Sequence, residues 1–356
     1  MSGPVFKRDG VILPPEFGGL FPPDEDWLAR EDKEEILLAD LPIVDPHHHL
    51  WVRPSYRYLV PEFAADLATG HNVVATVFAD CSSMYRADGP VHLRPVGETE
   101  FVVGQSAQSA SGAYGRTKIA AAMFGSADLT MGPAVREVLE AHVEAASGRF
   151  RGIRSQYNWD ANDAIRNGAR ALRPGMLVEP AVQAALKVLA GMGLVLDSYV
   201  FFPQLHEVAK TADALPGLPI VLNHCGGPLG YGPYARNRAE HYAVWKQGLL
   251  EVAQRPNVVC KLNAVLNRTA AFDYFHADRP VSSQELADAW RPWIEPCIEA
   301  FGAERCMFES NYPVEKVGVS YASLWNAFKR LTAHASHDER SALFSGTAVR
   351  IYGLAL

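Results

Sequence analysis

Short apolar runs, each about as long as a buried strand, alternate with segments of helical period through most of the chain. The runs that predict strands are Leu41–His49, Val73–Cys81, Lys118–Phe124, Phe150–Gln156, Val195–Tyr199, Ile220–His224, Val258–Leu262 and Met307–Asn311. The intervening periodic segments predict helices at Ala134–Ala146, Pro180–Met192, Leu205–Leu215, Glu240–Gln254, Ser283–Phe301 and Tyr321–Leu331. Continuous apolar strands separated by helices are typical of a covered parallel sheet, and eight such units predict a (β/α)8 TIM barrel.

Two segments depart from this rhythm. Residues 1–40 are rich in proline, glycine and acidic groups, and we interpret them as an N-terminal extension packed on a barrel that spans 41–356. Residues 82–116, between the second and third strands, show no helical period. Long irregular connections in compact domains are usually functional or disordered. We therefore predict a long loop after the second strand that acts as a lid or specificity loop at the C-terminal face of the barrel.

Composition narrows the class of partner. The net charge is −7 and no basic stripe stands out, which argues against nucleic acid. No apolar run approaches the ~18 residues that span a bilayer, so no membrane partner is predicted. The 5 cysteines are scattered without a C-x-x-C pair, which favours a reduced, cytoplasmic protein over a disulfide framework or a thiolate zinc site. A small-molecule substrate is the expected partner, and a homo-oligomer stays open.

The clearest chemical signal is D-P-H-H-H at the end of the first predicted strand. Side chains alternate along a strand, so His47 and His49 share one face while His48 points towards the helix layer. Two imidazoles on one face can chelate a cation, or they can cap the barrel through hydrogen bonds; spacing alone does not decide. Their place at the C-terminal tip of a barrel strand favours chemistry.

Further polar residues end other strands. His224 follows the sixth strand ahead of a Gly-Gly-Pro turn, and Glu309 and Asn311 share a face at the end of the eighth. An isolated histidine is more often structural, but a third one at the same end of the barrel is harder to dismiss.

Other strand ends offer candidate substrate contacts. An Arg154 fork at the end of the fourth strand could bind a substrate carboxylate, with Tyr157 beside it, or could pair with a neighbouring strand end. Lys261 is a candidate substrate contact or a polar strand end.

Together, D-x-H-x-H, N-H-x-G and F-x-S-N-x-P-V resemble the amidohydrolase superfamily, in particular its amidohydrolase-2 group, from about Leu41 to the C-terminus. The resemblance implies a TIM-barrel hydrolase and a divalent metal, zinc or manganese, held at His47, His49 and His224. The chain departs from the pattern twice. Asp197 stands where the fifth strand would supply a histidine, and Asn311 replaces the aspartate that binds metal and accepts a proton from water. A neutral amide cannot perform that second task.

Three arrangements could compensate for Asn311. Asp197 could complete a ligand set with His47, His49 and His224 and act as the general base, or Glu309 could take the place of the aspartate. Alternatively, the histidines could hydrogen-bond the substrate carbonyl without metal, as the resemblance to pyrone-dicarboxylate lactonases implies.

The expected function is therefore a hydrolase that opens a lactone or cyclic amide of a small carboxylated substrate. The alternatives are a metal-dependent decarboxylase or hydratase on the same barrel, and a non-catalytic binding protein.

Overall fold

The computed structural model describes residues 22–53, 56–168, 172–263, 272, 274 and 277–356, together with the backbone of two short strands near the N-terminus. The strands are β1 (Phe6–Arg8), β2 (Val11–Leu13), β3 (Ile43–His48), β4 (Trp51–Arg53), β5 (Tyr56–Tyr58), β6 (Val73–Ala79), β7 (Lys118–Gly125), β8 (Phe150–Gln156), β9 (Val195–Tyr199), β10 (Ile220–Leu222), β11 (Val258–Leu262) and β12 (Cys306–Phe308). The helices are α1 (Glu25–Leu28), α2 (Val60–Leu67), α3 (Val96–Ala110), α4 (Val135–Ala145), α5 (Pro180–Gly191), α6 (Leu205–Ala214), α7 (Arg238–Ala253), α8 (Ser283–Phe301), α9 (Tyr321–Leu331), α10 (His337–Ser341) and α11 (Thr347–Tyr352).

Eight parallel strands form the central sheet, in the order β12-β11-β10-β9-β8-β7-β6-β3. The first and last strands of this order meet at their C-terminal ends. A parallel bridge joins His48 to Tyr312, and the Asn311 N–H donates to the His47 carbonyl at 2.9 Å. The sheet is thus a nearly closed barrel, and the predicted (β/α)8 fold is confirmed. The same contacts bring the histidine motif next to the end of β12.

The barrel interior is built in two layers. An apolar layer contains Val44, Val77, Phe124, Val195, Val221, Val259 and Met307, all buried. Four of these residues are followed, two positions later, by a polar or charged residue that is fully buried: Asp197, Asn223, Lys261 and Glu309. Residues two apart on a strand share a face, so a polar layer lies directly above the apolar one, at the C-terminal end.

A larger apolar cluster lies between the strands and the surrounding helices. Helix α8 contributes Trp290 and Ile294, and α9 contributes Trp325 and Phe328, all fully buried. Because both faces of the strands are covered, the strands are apolar throughout and do not show the alternation of a half-exposed sheet.

The connection between β6 and β7 differs in part from its prediction. Residues 80–95 are irregular apart from a short 3-10 turn, but α3 occupies Val96–Ala110, so the absence of helix predicted for 82–116 was wrong there. The buried face of α3 includes Glu98, Thr99, Ser106 and Ser109. Small and polar residues on the buried face hide the apolar period by which a helix is recognised in a sequence.

The described part of the N-terminal segment contacts α8 and α9. The Trp27 Nε1–H donates to the Ala277 carbonyl at 2.8 Å, just before α8. The Leu37 N–H donates to Asn326 Oδ1 at 3.0 Å, and Lys329 Nζ donates to the Leu37 carbonyl at 2.6 Å. Most of residues 1–21, which belong to the predicted extension, lies outside the described residues. Across the described ranges, no helix combines the length and apolar character that crossing a membrane requires.

Candidate active site

Three histidines meet at the C-terminal end of the barrel. The ring centroid of His47 lies 4.9 Å from that of His49 and 4.8 Å from that of His224. His48 points the other way, as predicted: its Nε2 lies 2.9 Å from Thr76 Oγ1, and its ring packs 4.5 Å from that of Phe63 in α2. The sequence pattern therefore separated the inward-facing pair correctly from the residue between them.

Glu309 joins two of these histidines. Its Oε1 lies 2.6 Å from His224 Nδ1, and its Oε2 lies 2.9 Å from His47 Nδ1. Burial raises the pKa of Glu309 to about 8. Burial also holds the pKa values of His47 and His224 well below their usual range, and the cations Lys261 and Arg154 lower them further. Near neutral pH the carboxyl group therefore holds its proton and can donate it to one of the two neutral imidazoles.

Asp197 forms its contacts with other residues of the polar layer and not with the described histidines. Lys261 Nζ donates to Asp197 Oδ2 at 2.7 Å, and Asn223 Nδ2 donates to Asp197 Oδ1 at 2.8 Å. Arg154 Nε lies 3.9 Å from the same Oδ1 atom. Lys261 Nζ also reaches His47 Nδ1, at 3.1 Å. Thus Lys261 lies inside the barrel between Asp197 and His47, as a buried cation in the polar network.

His49 and Asn311 form a separate contact at the rim. The His49 Nδ1–H donates to the Ala79 carbonyl at 2.7 Å, and its Nε2 lies 3.2 Å from Asn311 Oδ1. Asn311 adopts the left-handed backbone region with φ of 53°, as His224 does with φ of 58°. Non-glycine residues in this region are costly and often occur at functional sites.

A cavity of about 300 Å³ opens above the histidines. Its walls include His49, Trp51, Arg53, Cys81, Arg154, Tyr199, His224 and Asn311. Tyr157, predicted as a substrate contact, instead lines an adjoining cavity that shares Arg154 and Gln156 with this one. Neither Arg53 nor Asn223 was predicted as a site residue, although Asn223 is the first residue of the N-H-x-G motif. A signal for Arg53 was present, since it follows His49 and Trp51 at alternate positions.

The described residues include one group of side chains able to reach a common metal ion, namely His47, His224 and Glu309, whose donor atoms all lie within 4.8 Å of one another. This group differs from the predicted set, because His49 and Asp197 are held by other partners. Two imidazoles and a carboxylate suit zinc. In addition, His47 Nε2 is buried and has no hydrogen-bond partner among the described residues. The residues therefore fit a divalent ion, although Lys261 contacts the other nitrogen of His47.

Comparison with known proteins agrees with this geometry. The family model described as "Amidohydrolase" matches residues 44–354. The uncharacterized protein y4mH of Sinorhizobium fredii is 31% identical over 339 residues, covering 88% of this chain and 99% of that protein. An L-fucono-1,5-lactonase of Burkholderia ambifaria is 24% identical over 324 residues, covering 87% of this chain and 94% of the lactonase. A crystal structure of an amidohydrolase from Burkholderia multivorans with bound HEPES has a TM-score of 0.67 and 25% identity, covering 88% of this chain and 99% of that one.

The barrel and its histidine cluster define a protein of the TIM-barrel hydrolase class. The chain belongs to the amidohydrolase family, which the family match over residues 44–354 shows.

Proposed function

We propose that this protein opens a lactone, or a cyclic amide, of a small carboxylated substrate by adding water to the ring carbonyl. The observation that carries the proposal is the His224–Glu309 pair beneath a cavity at the C-terminal face, the face that bears the active site in barrels of this fold. The similarity to L-fucono-1,5-lactonases favours an ester ring over other substrates.

In this proposal His224 is the general base. Its Nδ1 is bound to Glu309, so Nε2 is the ring nitrogen left to accept a proton from water in the cavity. A lowered histidine pKa keeps the ring neutral and able to accept that proton. Because burial raises the pKa of Glu309 to about 8, the base acts once Glu309 is ionised, when its carboxylate accepts the Nδ1–H and stabilises the imidazolium that forms. The sequence favoured Asp197 as the base. We propose the His224–Glu309 pair instead, because Asp197 is held by Lys261 and Asn223 and is absent from the described cavity wall.

A divalent ion, if bound, would be held by His47, His224 and Glu309 and would polarise the carbonyl and acidify water; His224 would then serve as a ligand, so its role as the base applies to the metal-free protein. The chain's own groups also supply positive charge at the site. Arg154 lies at the cavity wall, and its Nη1 donates to the Asp80 carbonyl at 2.6 Å, which fixes the guanidinium. A fixed guanidinium can orient the substrate by a bidentate contact with a carboxylate.

The test is ring opening of a panel of substrates, followed for lactones by acid release with a pH indicator and for cyclic amides by chromatographic loss of substrate. We expect turnover of lactones, and a loss of about 10²–10⁴-fold in kcat on His224→Ala, the range for removal of a general base. The matched control is His206→Ala, a change of an exposed histidine on α6. Release of carbon dioxide from carboxylated substrates would instead indicate a decarboxylase, and ligand binding without turnover would indicate a binding protein.

A further inference from the structure

Arg53 of β4 and Arg154 of β8 line the same cavity. Arg53 ends β4, and its Nη2 donates to the Cys81 carbonyl at 3.1 Å. The Nη1 of Arg154 donates to the Asp80 carbonyl. The two anchoring carbonyls belong to consecutive residues just after β6, so the same piece of backbone anchors both guanidinium groups.

Both side chains are held in place and both have unused donors. The guanidinium carbon of Arg53 lies 5.0 Å from the centre of the Trp51 ring, whose plane stacks on His49. The Nε atoms of Arg53 and Arg154 are buried, and neither has a hydrogen-bond partner among the described residues. A buried, charged donor without a partner is costly, so each guanidinium is left with positive charge that an anion in the cavity would offset.

The cavity supplies no counter-charge for these groups. Arg53, Arg154 and Arg166 line it, whereas the wall residues that the structure describes include no aspartate or glutamate. Among the described residues, Arg53 forms no ion pair. The carboxylate nearest to Arg154 is that of Asp197, whose Oδ1 lies 3.9 Å from Arg154 Nε. Asp197 is itself bound more closely by Lys261. The positive charge of the cavity is thus left to an incoming anion.

We propose that Arg53 and Arg154 together form a carboxylate subsite, and that Arg53 selects acidic lactones over neutral sugar lactones. The inference rests on the proposed function, because it names the substrate class of the same cavity. A planar carboxylate accepts paired N–H groups from guanidinium, whereas a hydroxymethyl group in its place leaves both charges unmatched.

A pair of lactones that differ only in the charged group tests this directly. D-Glucaro-1,4-lactone carries a carboxylate where D-glucono-1,4-lactone carries a hydroxymethyl group. We expect kcat/KM of the wild-type protein to favour the acidic lactone by at least ~10-fold, in line with a charged hydrogen bond. Arg53→Gln should lower that preference by about 10- to 100-fold, mainly through KM, and leave the neutral lactone within about 3-fold.

Two further variants separate recognition from folding. Arg53→Lys keeps the charge but not the fork, so its preference should fall between those of the wild type and Arg53→Gln. The control is Arg57→Gln on the same hairpin, because Arg57 is 64% exposed, pairs with Glu62 and does not line the cavity. An equal loss on both lactones with Arg53→Gln, or no loss on either, would overturn the proposed selectivity.

Binding of D-glucarate, the open-chain diacid, gives a readout that needs no turnover. Calorimetry should show binding to the wild type and to Arg57→Gln, and weaker binding to Arg53→Gln. If D-glucarate binding depends on Arg53 but no lactone is opened, the subsite stands and the proposed function fails. If lactones are opened while D-glucarate does not bind, or binds independently of Arg53, the function stands and the subsite is refuted.

Discussion

Replacing Glu309 by glutamine should make the protein less active and, above neutral pH, more stable. Glu309 is fully buried, and burial raises its pKa from an ordinary 4.5 to about 8. A carboxyl group with a raised pKa in the folded state favours folding most below pH 4.5, and stability is lost as the pH rises towards 8. Glutamine cannot ionise, so the variant avoids this loss.

The magnitude follows from the pKa shift. At pH 7 the wild type has lost stability only over the interval from pH 4.5 to pH 7. At 1.4 kcal/mol per pH unit, this loss in the free energy of unfolding is about 3 kcal/mol. Between pH 5 and pH 8 the difference in the free energy of unfolding should change by a similar amount, an upper limit because protons are shared with His47 and His224. At roughly 2 °C per kcal/mol for a chain of this size, the Tm difference should grow by about 5 °C.

Thermal melts of both proteins at pH 5, 6, 7 and 8, with EDTA present, measure this effect. Glu207→Gln is the control: Glu207 is buried in α6 and accepts hydrogen bonds from the N–H groups of Gly175 and Leu177. Its loss should lower Tm at every pH. The interpretation of Glu309 fails if Glu309→Gln melts below the wild type at pH 8, or if the Tm difference is the same at pH 5 and pH 8.

Three other predictions follow from the same network. Zinc bound by protein purified without a histidine tag should be lost on His224→Ala and kept on Asp197→Asn; loss on both variants would favour the ligand set predicted from sequence. Lys261→Met should cost about 3–5 kcal/mol of stability by removing the closest cation from buried Asp197, and the double variant Lys261→Met/Asp197→Asn should recover most of it in urea unfolding. A double variant less stable than either single one would contradict this. Burial lowers the pKa of His71 from an ordinary 6.5 to about 4. The contribution of His71 to the stability of the fold is therefore present above pH 6.5 and is lost as the pH falls to 4. His71→Gln should flatten the fall of Tm in that interval, whereas His206→Gln should not.

Most of the fold was accessible from the sequence because each barrel strand is an uninterrupted apolar run. The bounds of β8, β9 and β11, and of α8 and α9, agree with the predicted ones. Helix α3 was missed because the residues on its buried face are small or polar. The last strand ends at Phe308, three residues before its predicted end at Asn311. Beyond Phe308 the chain leaves regular strand geometry and Asn311 takes the left-handed conformation, although the Asn311 N–H still donates to the His47 carbonyl.

The site was accessible only in part. Strand alternation placed His47 and His49 on one face, and the strand ends located His224 and Glu309. The partner of each group could not be read from the sequence, because it depends on which strands are neighbours and on side-chain reach. Lys261 contacts Asp197 from two strands away, which no local pattern records. Arg53 lies on a hairpin outside the barrel strands, so the repeat that identified the other residues did not include it.

The distribution of charge in the polar layer connects these observations to the chemistry. Lys261 and Asp197 neutralise each other inside the barrel, and Glu309 lies within 2.9 Å of two histidines. Arg53 and Arg154, at the cavity wall, are not neutralised in this way by the described residues. Charges deep in the barrel are therefore internally paired and hold His47 and His224 in place, whereas the charges nearer the opening are not paired in this way among the described residues. The proposed function assigns anion binding to the rim and proton transfer to the floor, so loss of a rim arginine should change substrate preference while loss of Glu309 should change turnover of every substrate.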